Sequence, residues 1–128
     1  MTIASICIIV AAVLPILSVG LAKVAPVSRP ERYDNHNPRA WIAKQTGWKA
    51  RANAAQSNGF EALPLFIAGV LAAQQMHADQ AMVDKLAMAF IAARLVYVAL
   101  YLADVAALRT AVWGVGLACS IALFFQGA

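Results

Sequence analysis

An amide and a carboxylate interrupt an otherwise apolar stretch near the middle of this chain, Ala55-Gln56-Ser57-Asn58-Gly59-Phe60-Glu61-Ala62-Leu63-Pro64-Leu65-Phe66. At helical spacing Asn58 and Glu61 lie on one face. An ionisable group inside a membrane helix is costly unless it meets a partner or a polar cavity, which makes Glu61 the first candidate functional residue. A second set follows in Arg94, Tyr97 and Tyr101, whose offsets of three and four place a guanidinium and two phenols on one face of another helix. Arg94 is expected to pair with Glu61. The simplest structural reading of that pair is an ion pair that fixes helix register, with Asn58 as interhelical glue and the tyrosines as interfacial anchors. Arg51 and Arg109 add two cations near the same end. Cations, an amide and a carboxylate at the mouth of a helix bundle suit a small zwitterion bearing carboxylates and an amine. An apolar tail of such a ligand would lie in a groove between helices.

The elements that carry these residues follow from composition. The chain has 128 residues, is 62% hydrophobic and only 12% charged, and has a mean hydropathy of +0.71. Soluble domains are about a quarter charged, and a chain this short cannot bury so much apolar surface in one water-soluble core. It reads as a single integral membrane domain over residues 1–128, all-α, an up-down bundle of four spans at about 3–24, 48–75, 81–103 and 108–125. The first apolar run has no basic residue before it and is long, so it is expected to be a retained span rather than a signal peptide. Pro15 is expected to kink it, and Pro64 to bend the second span after the polar cluster. Gly114, Gly116, Ala118 and Ser120 would let another helix approach the fourth span.

Seven of the ten basic residues (Lys23, Arg29, Arg32, Arg39, Lys44, Lys49 and Arg51) fall between the first two apolar segments. That asymmetry marks a cytoplasmic loop and places both termini on the non-cytoplasmic side. It explains the net charge of +4 as topology, with some attraction to membrane lipids, and argues against nucleic acid as a partner. Pro38 disfavours a helix through Arg32–Arg39, and Trp41 and Trp48 suit a segment at headgroup level. His36 and His77 read as solvated loop residues, and Cys7 and Cys119 as small packing residues, so no metal site is expected.

No G-x-S-x-G elbow, phosphate loop or His/Cys cluster at metal spacing is present in the sequence. The run Ala55-Gln56-x-Asn58-x-x-Glu61-x-x-Pro64-Leu65-Phe66, with Arg51 seven residues before Asn58, resembles the second-helix motif of the MAPEG family, the membrane-associated proteins in eicosanoid and glutathione metabolism. Arg94, Tyr97 and Tyr101 on the third span, then Arg109-Thr110 opening the fourth, resemble the rest of that pattern in a bacterial-type member. The resemblance implies a homotrimer that holds glutathione as co-substrate between protomers near the cytosolic face. It implies that Arg51, Asn58, Glu61, Arg94, Tyr97 and Tyr101 bind the tripeptide and that Arg109 is catalytic, stabilising the thiolate. The function implied is a glutathione-dependent transferase or peroxidase acting on small lipophilic electrophiles or lipid hydroperoxides; the compact loops and the absence of a targeting signal suggest a bacterial inner membrane. Ala54 and Ser57 stand where glutathione-using members carry further arginines. The alternative reading is accordingly a non-catalytic lipid- or ligand-binding scaffold of the same fold.

Overall fold

The computed structural model describes residues 1–127. The fold is all-α: α1 (Ile3–Val24), a single 3-10 turn (Arg29–Glu31), a short α2 (Pro38–Ala43), then α3 (Gly47–Gln75), α4 (Gln80–Leu102) and α5 (Ala106–Phe124). The four long helices pack as a bundle with α3 in contact with every other helix. Helices α1, α4 and α5 are each long and apolar enough to cross a bilayer. Helix α3 has 29 residues but is polar through its first half, so its apolar content alone does not mark it as a span.

The helix boundaries have local causes. Thr2 caps α1 by accepting from the Ser5 N–H at 3.1 Å, and Asp79 caps α4 by accepting from the Met82 N–H at 3.3 Å. Helices α3 and α4 both end in a left-handed residue that is not glycine, His77 with φ 56° and Asp104 with φ 61°. In each case the following N–H reaches back to close the last turn, Ala78 to Ala73 and Val105 to Leu100, both at 3.0 Å. Pro38 does not exclude helix from its neighbourhood. It opens α2 at the first helical position, where a missing N–H costs nothing.

The ends of the bundle differ sharply. At the acidic end, Asp84 of α4 accepts from the Ala4 N–H of α1 and from Gln80, each at 2.8 Å, and Gln74 of α3 donates to Thr2 at 3.1 Å. A carboxylate at the start of α1 also complements its dipole. The core between these ends is built from small and aromatic residues. Phe66 of α3 stacks on Phe90 of α4 with centroids 3.9 Å apart, surrounded by Cys7, Ala11, Val70, Val83, Ala87 and Leu123. Ile6, Ile9, Val13, Ile16 and Leu17 of α1 point outward, as do Leu95 and Val96 of α4 and Val115 and Ile121 of α5. Only lipid solvates such a surface without penalty.

Close helix approach relies on specific positions. A Cβ at Gly69 of α3 would meet the Ser120 carbonyl oxygen of α5 at 2.8 Å, so this crossing needs glycine. Gly116 and Ser120 of α5 face inward and are buried, whereas a Cβ at Gly114 would meet nothing within 4 Å and Ala118 is exposed. The expected small-residue face is therefore narrower than anticipated, because residues two apart on a helix point to nearly opposite sides.

Candidate functional site

Arg94 is the most deeply buried charged side chain of the bundle, at 5% exposure. Its Nη1 donates to Oδ1 of Asn58 on α3 at 2.8 Å. This corrects the expected pairing with Glu61. Asn58 is half-buried between α3 and α4, whereas Glu61, three residues on, is exposed. An amide can be buried against a guanidinium at lower desolvation cost than a carboxylate, which keeps its water by staying outside.

The other terminal nitrogen, Nη2, is buried and has no hydrogen-bond partner. It faces α1, since a Cβ added at Gly59 would sit 3.7 Å from Nη2 and 2.6 Å from Cγ of Pro15. Between them lies a void of about 10 Å³ lined by Ala11, Pro15, Gly59 and Arg94, the size that holds one water molecule. Pro15 has no N–H to give the Ala11 carbonyl, so both a free carbonyl and a free guanidinium nitrogen belong to residues bordering the same void. Gly59 lets the proline ring approach; the sequence spacing gave no sign of this contact.

From Arg94 a ladder of cations and rings climbs α4 towards the basic end. The Arg94 guanidinium lies over the Tyr97 ring at 4.2 Å, Tyr97 meets Tyr101 edge-on at 5.6 Å, and Arg109 of α5 lies over Tyr101 at 4.1 Å. Each cation rests on a π face instead of a carboxylate. Arg51 is held differently: its Nε and Nη2 donate to the Leu102 carbonyl at 3.3 and 3.1 Å. That carbonyl belongs to the last turn of α4, so Arg51 satisfies an orphan acceptor and offsets the negative end of the helix dipole.

A groove of about 240 Å³ opens on the outer side of these residues. Asn58, Glu61 and Arg94 give it a polar wall, and Leu65, Phe90, Trp113 and Leu117 an apolar one. Trp113 is 42% exposed at its rim. Arg109 stands one helical turn before Trp113 on α5, hence on the basic-end side of the groove. The structure thus brings Asn58, Glu61 and Arg94 to one cavity, gathers Tyr97, Tyr101 and Arg109 beside it, and commits Arg51 to a helix end. Sequence reasoning missed Phe90, Trp113 and Leu117 as its apolar wall, because their types signal only membrane or core. No group of three or more His, Cys, Asp or Glu side chains converges as a metal site would among the described residues.

With this geometry in place, the whole-chain comparison is decisive. The model of the MAPEG family matches residues 3–128. The chain belongs to the MAPEG family. No curated protein and no solved structure matches it significantly. Membership makes this a multi-pass membrane protein of a family whose members are mostly glutathione-dependent transferases and peroxidases or eicosanoid enzymes. The groove itself offers the Asn58 amide and the exposed Glu61 carboxylate to a polar ligand, whereas the unpaired nitrogen of Arg94 lies on the α1 side.

Proposed function

We infer that this MAPEG protein is a glutathione-dependent transferase or peroxidase acting on small lipophilic electrophiles or lipid hydroperoxides. The observation that carries the reading is the two-walled groove, in which Asn58, Glu61 and Arg94 face Leu65, Phe90, Trp113 and Leu117. Such a site suits a polar co-substrate and an apolar one side by side. At about 240 Å³ the groove falls below the roughly 300–1,000 Å³ usual for small-molecule sites. Its open side would be completed by a second protomer of a homotrimer, the assembly that the family resemblance implies.

Bound glutathione would supply a thiol nucleophile. Glu61 would take its ammonium, Asn58 and Arg94 a carboxylate, and Tyr101 and Arg109 would flank the thiol end. A guanidinium there favours the thiolate, raising the nucleophile's concentration at neutral pH. Tyr101 holds that guanidinium in place through its ring face, 4.1 Å away. Arg51, spent on the Leu102 carbonyl, would support the site from behind rather than touch the ligand. The basic end would face the cytoplasm, with both termini on the opposite side.

Conjugation of glutathione to a model electrophile by the purified protein in detergent tests the reading. Removing a charged contact at the reacting atom costs about 2–4 kcal/mol, so Arg109→Ala should lower the rate roughly 30- to 1,000-fold. Absence of any glutathione-dependent turnover with electrophiles and hydroperoxides alike contradicts it. The second reading, a non-catalytic lipid- or ligand-binding scaffold, is favoured by Ala54 and Ser57, which thin the cation cluster on α3.

A further inference from the structure

A cavity larger than the groove lies elsewhere in the molecule. It measures about 660 Å³ and lies between the first loop and the start of α3, lined among others by Arg32, Trp41, Lys44, Thr46, Trp48 and Lys49. That volume is in the range of small-molecule sites. Two carboxylates share the cavity, but both are engaged elsewhere. Glu31 accepts from the Ser28 hydroxyl at 3.1 Å, and Asp34 from the His36 N–H at 2.9 Å and the Asn37 amide at 3.4 Å. Arg32 and Lys44 have no acidic partner among the described residues. Lys49 leans on the Trp41 ring, 5.8 Å from its centroid. Thr46, which precedes α3 without making a side-chain cap, lines the same cavity with Trp48 and Lys49, so the uncapped positive end of the helix dipole lies beside it.

We propose that this cavity binds the phosphate of an anionic phospholipid headgroup, through Arg32, Lys44 and Lys49 at the start of α3. Guanidinium and ammonium groups beside the positive end of a helix are the chemistry that holds a phosphate. Two features select a lipid over a free phosphate. Trp48, 38% exposed, and Trp41 are the side chains that settle at headgroup level. Arg32 also lines an adjoining cleft of about 420 Å³ with Lys23 and Val24. Val24 leads down the outward apolar face of α1, where Leu17 and Leu21 are exposed and give acyl chains a surface to lie on. This site stands apart from the glutathione groove and does not depend on that reading.

Native mass spectrometry of the purified chain, titrated with phosphatidylglycerol or phosphatidylcholine of identical acyl chains, tests the proposal. Wild-type protein should retain phosphatidylglycerol about a hundredfold more strongly, the combined effect of three near-surface basic residues. The double variant Lys44→Gln/Lys49→Gln should lose that preference, and Lys44→Arg/Lys49→Arg should keep it. Lys85→Gln, at the opposite end, should not change it. Arg32→Gln, outside every α-helix, should reduce it in the same direction and covers the case in which the double variant does not fold. Equal retention of the two lipids by wild type overturns the proposal, as does an unchanged preference in both glutamine variants. Displacement of phosphatidylglycerol by glycerol 3-phosphate at matching concentration overturns the lipid assignment, because the headgroup alone would then suffice.

Discussion

Arg94 is held by the amide of Asn58, with Nη1 2.8 Å from Oδ1, and not by the carboxylate of Glu61 three residues further along α3. The consequence is functional. A carboxylate locked in a buried ion pair would have nothing left to offer, whereas Glu61 stays exposed on the groove wall and free to meet a cationic group.

Asn58→Leu should therefore destabilise the bundle as well as weaken ligand binding. Leaving a buried guanidinium without its acceptor costs about 1.5–3 kcal/mol. Unfolding of the variant in mixed detergent should shift by that amount, and Asn58→Asp, which keeps an acceptor at the same place, should recover most of it. No shift for Asn58→Leu means that the 2.8 Å contact contributes nothing.

The contact of α1 with α3 supports a double-mutant test. A Cβ at Gly59 would lie 2.6 Å from Pro15 Cγ, so Gly59→Ala overpacks the crossing at a cost of about 1–3 kcal/mol. Pro15→Ala removes the ring that is in the way. The pair of substitutions should be clearly less destabilising than the sum of the two singles. Strict additivity in the same unfolding assay would mean that the two residues do not share the crossing.

Arg51 separates a structural from a ligand-binding role. Since both its hydrogen bonds go to the Leu102 carbonyl, Arg51→Met should lower stability by about 1–2 kcal/mol and speed amide exchange in the last turn of α4. The KM for glutathione should change less than it does in a Glu61 variant. A large rise in KM without loss of stability assigns Arg51 to the ligand instead.

His77 and Asp104 hold left-handed conformations at the ends of α3 and α4, with φ of 56° and 61°. An L side chain at such a position is disfavoured by roughly 1 kcal/mol, which glycine avoids. His77→Gly should raise the unfolding midpoint slightly, and a marked fall would show that the imidazole makes a contact that matters.

Much of this was legible in the sequence. Apolar content required a membrane bundle, and the spacing of Asn58, Glu61, Arg94, Tyr97, Tyr101 and Arg109 set out a polar constellation. What spacing along one helix cannot give is how two helices are rotated against each other. That rotation decided whether Arg94 met Asn58 or Glu61, and turned Gly116 inward while leaving nothing within 4 Å of a Cβ at Gly114. The Pro15–Gly59 contact was equally hidden, because each residue has an ordinary local reading, as a kink and as a small residue. The contact of Arg51 with the Leu102 carbonyl was hidden too, because a cation on a motif helix is read through its neighbours in sequence, while a backbone carbonyl is a partner that every residue possesses.

Calorimetric titration of glutathione into the detergent-purified protein, alongside Glu61→Gln, tests the central claim most directly. The account predicts saturable binding by the wild type and an affinity about tenfold or more lower for the variant, the loss of one charge-assisted contact. Absence of binding by the wild type, or equal affinity in the two proteins, would contradict it.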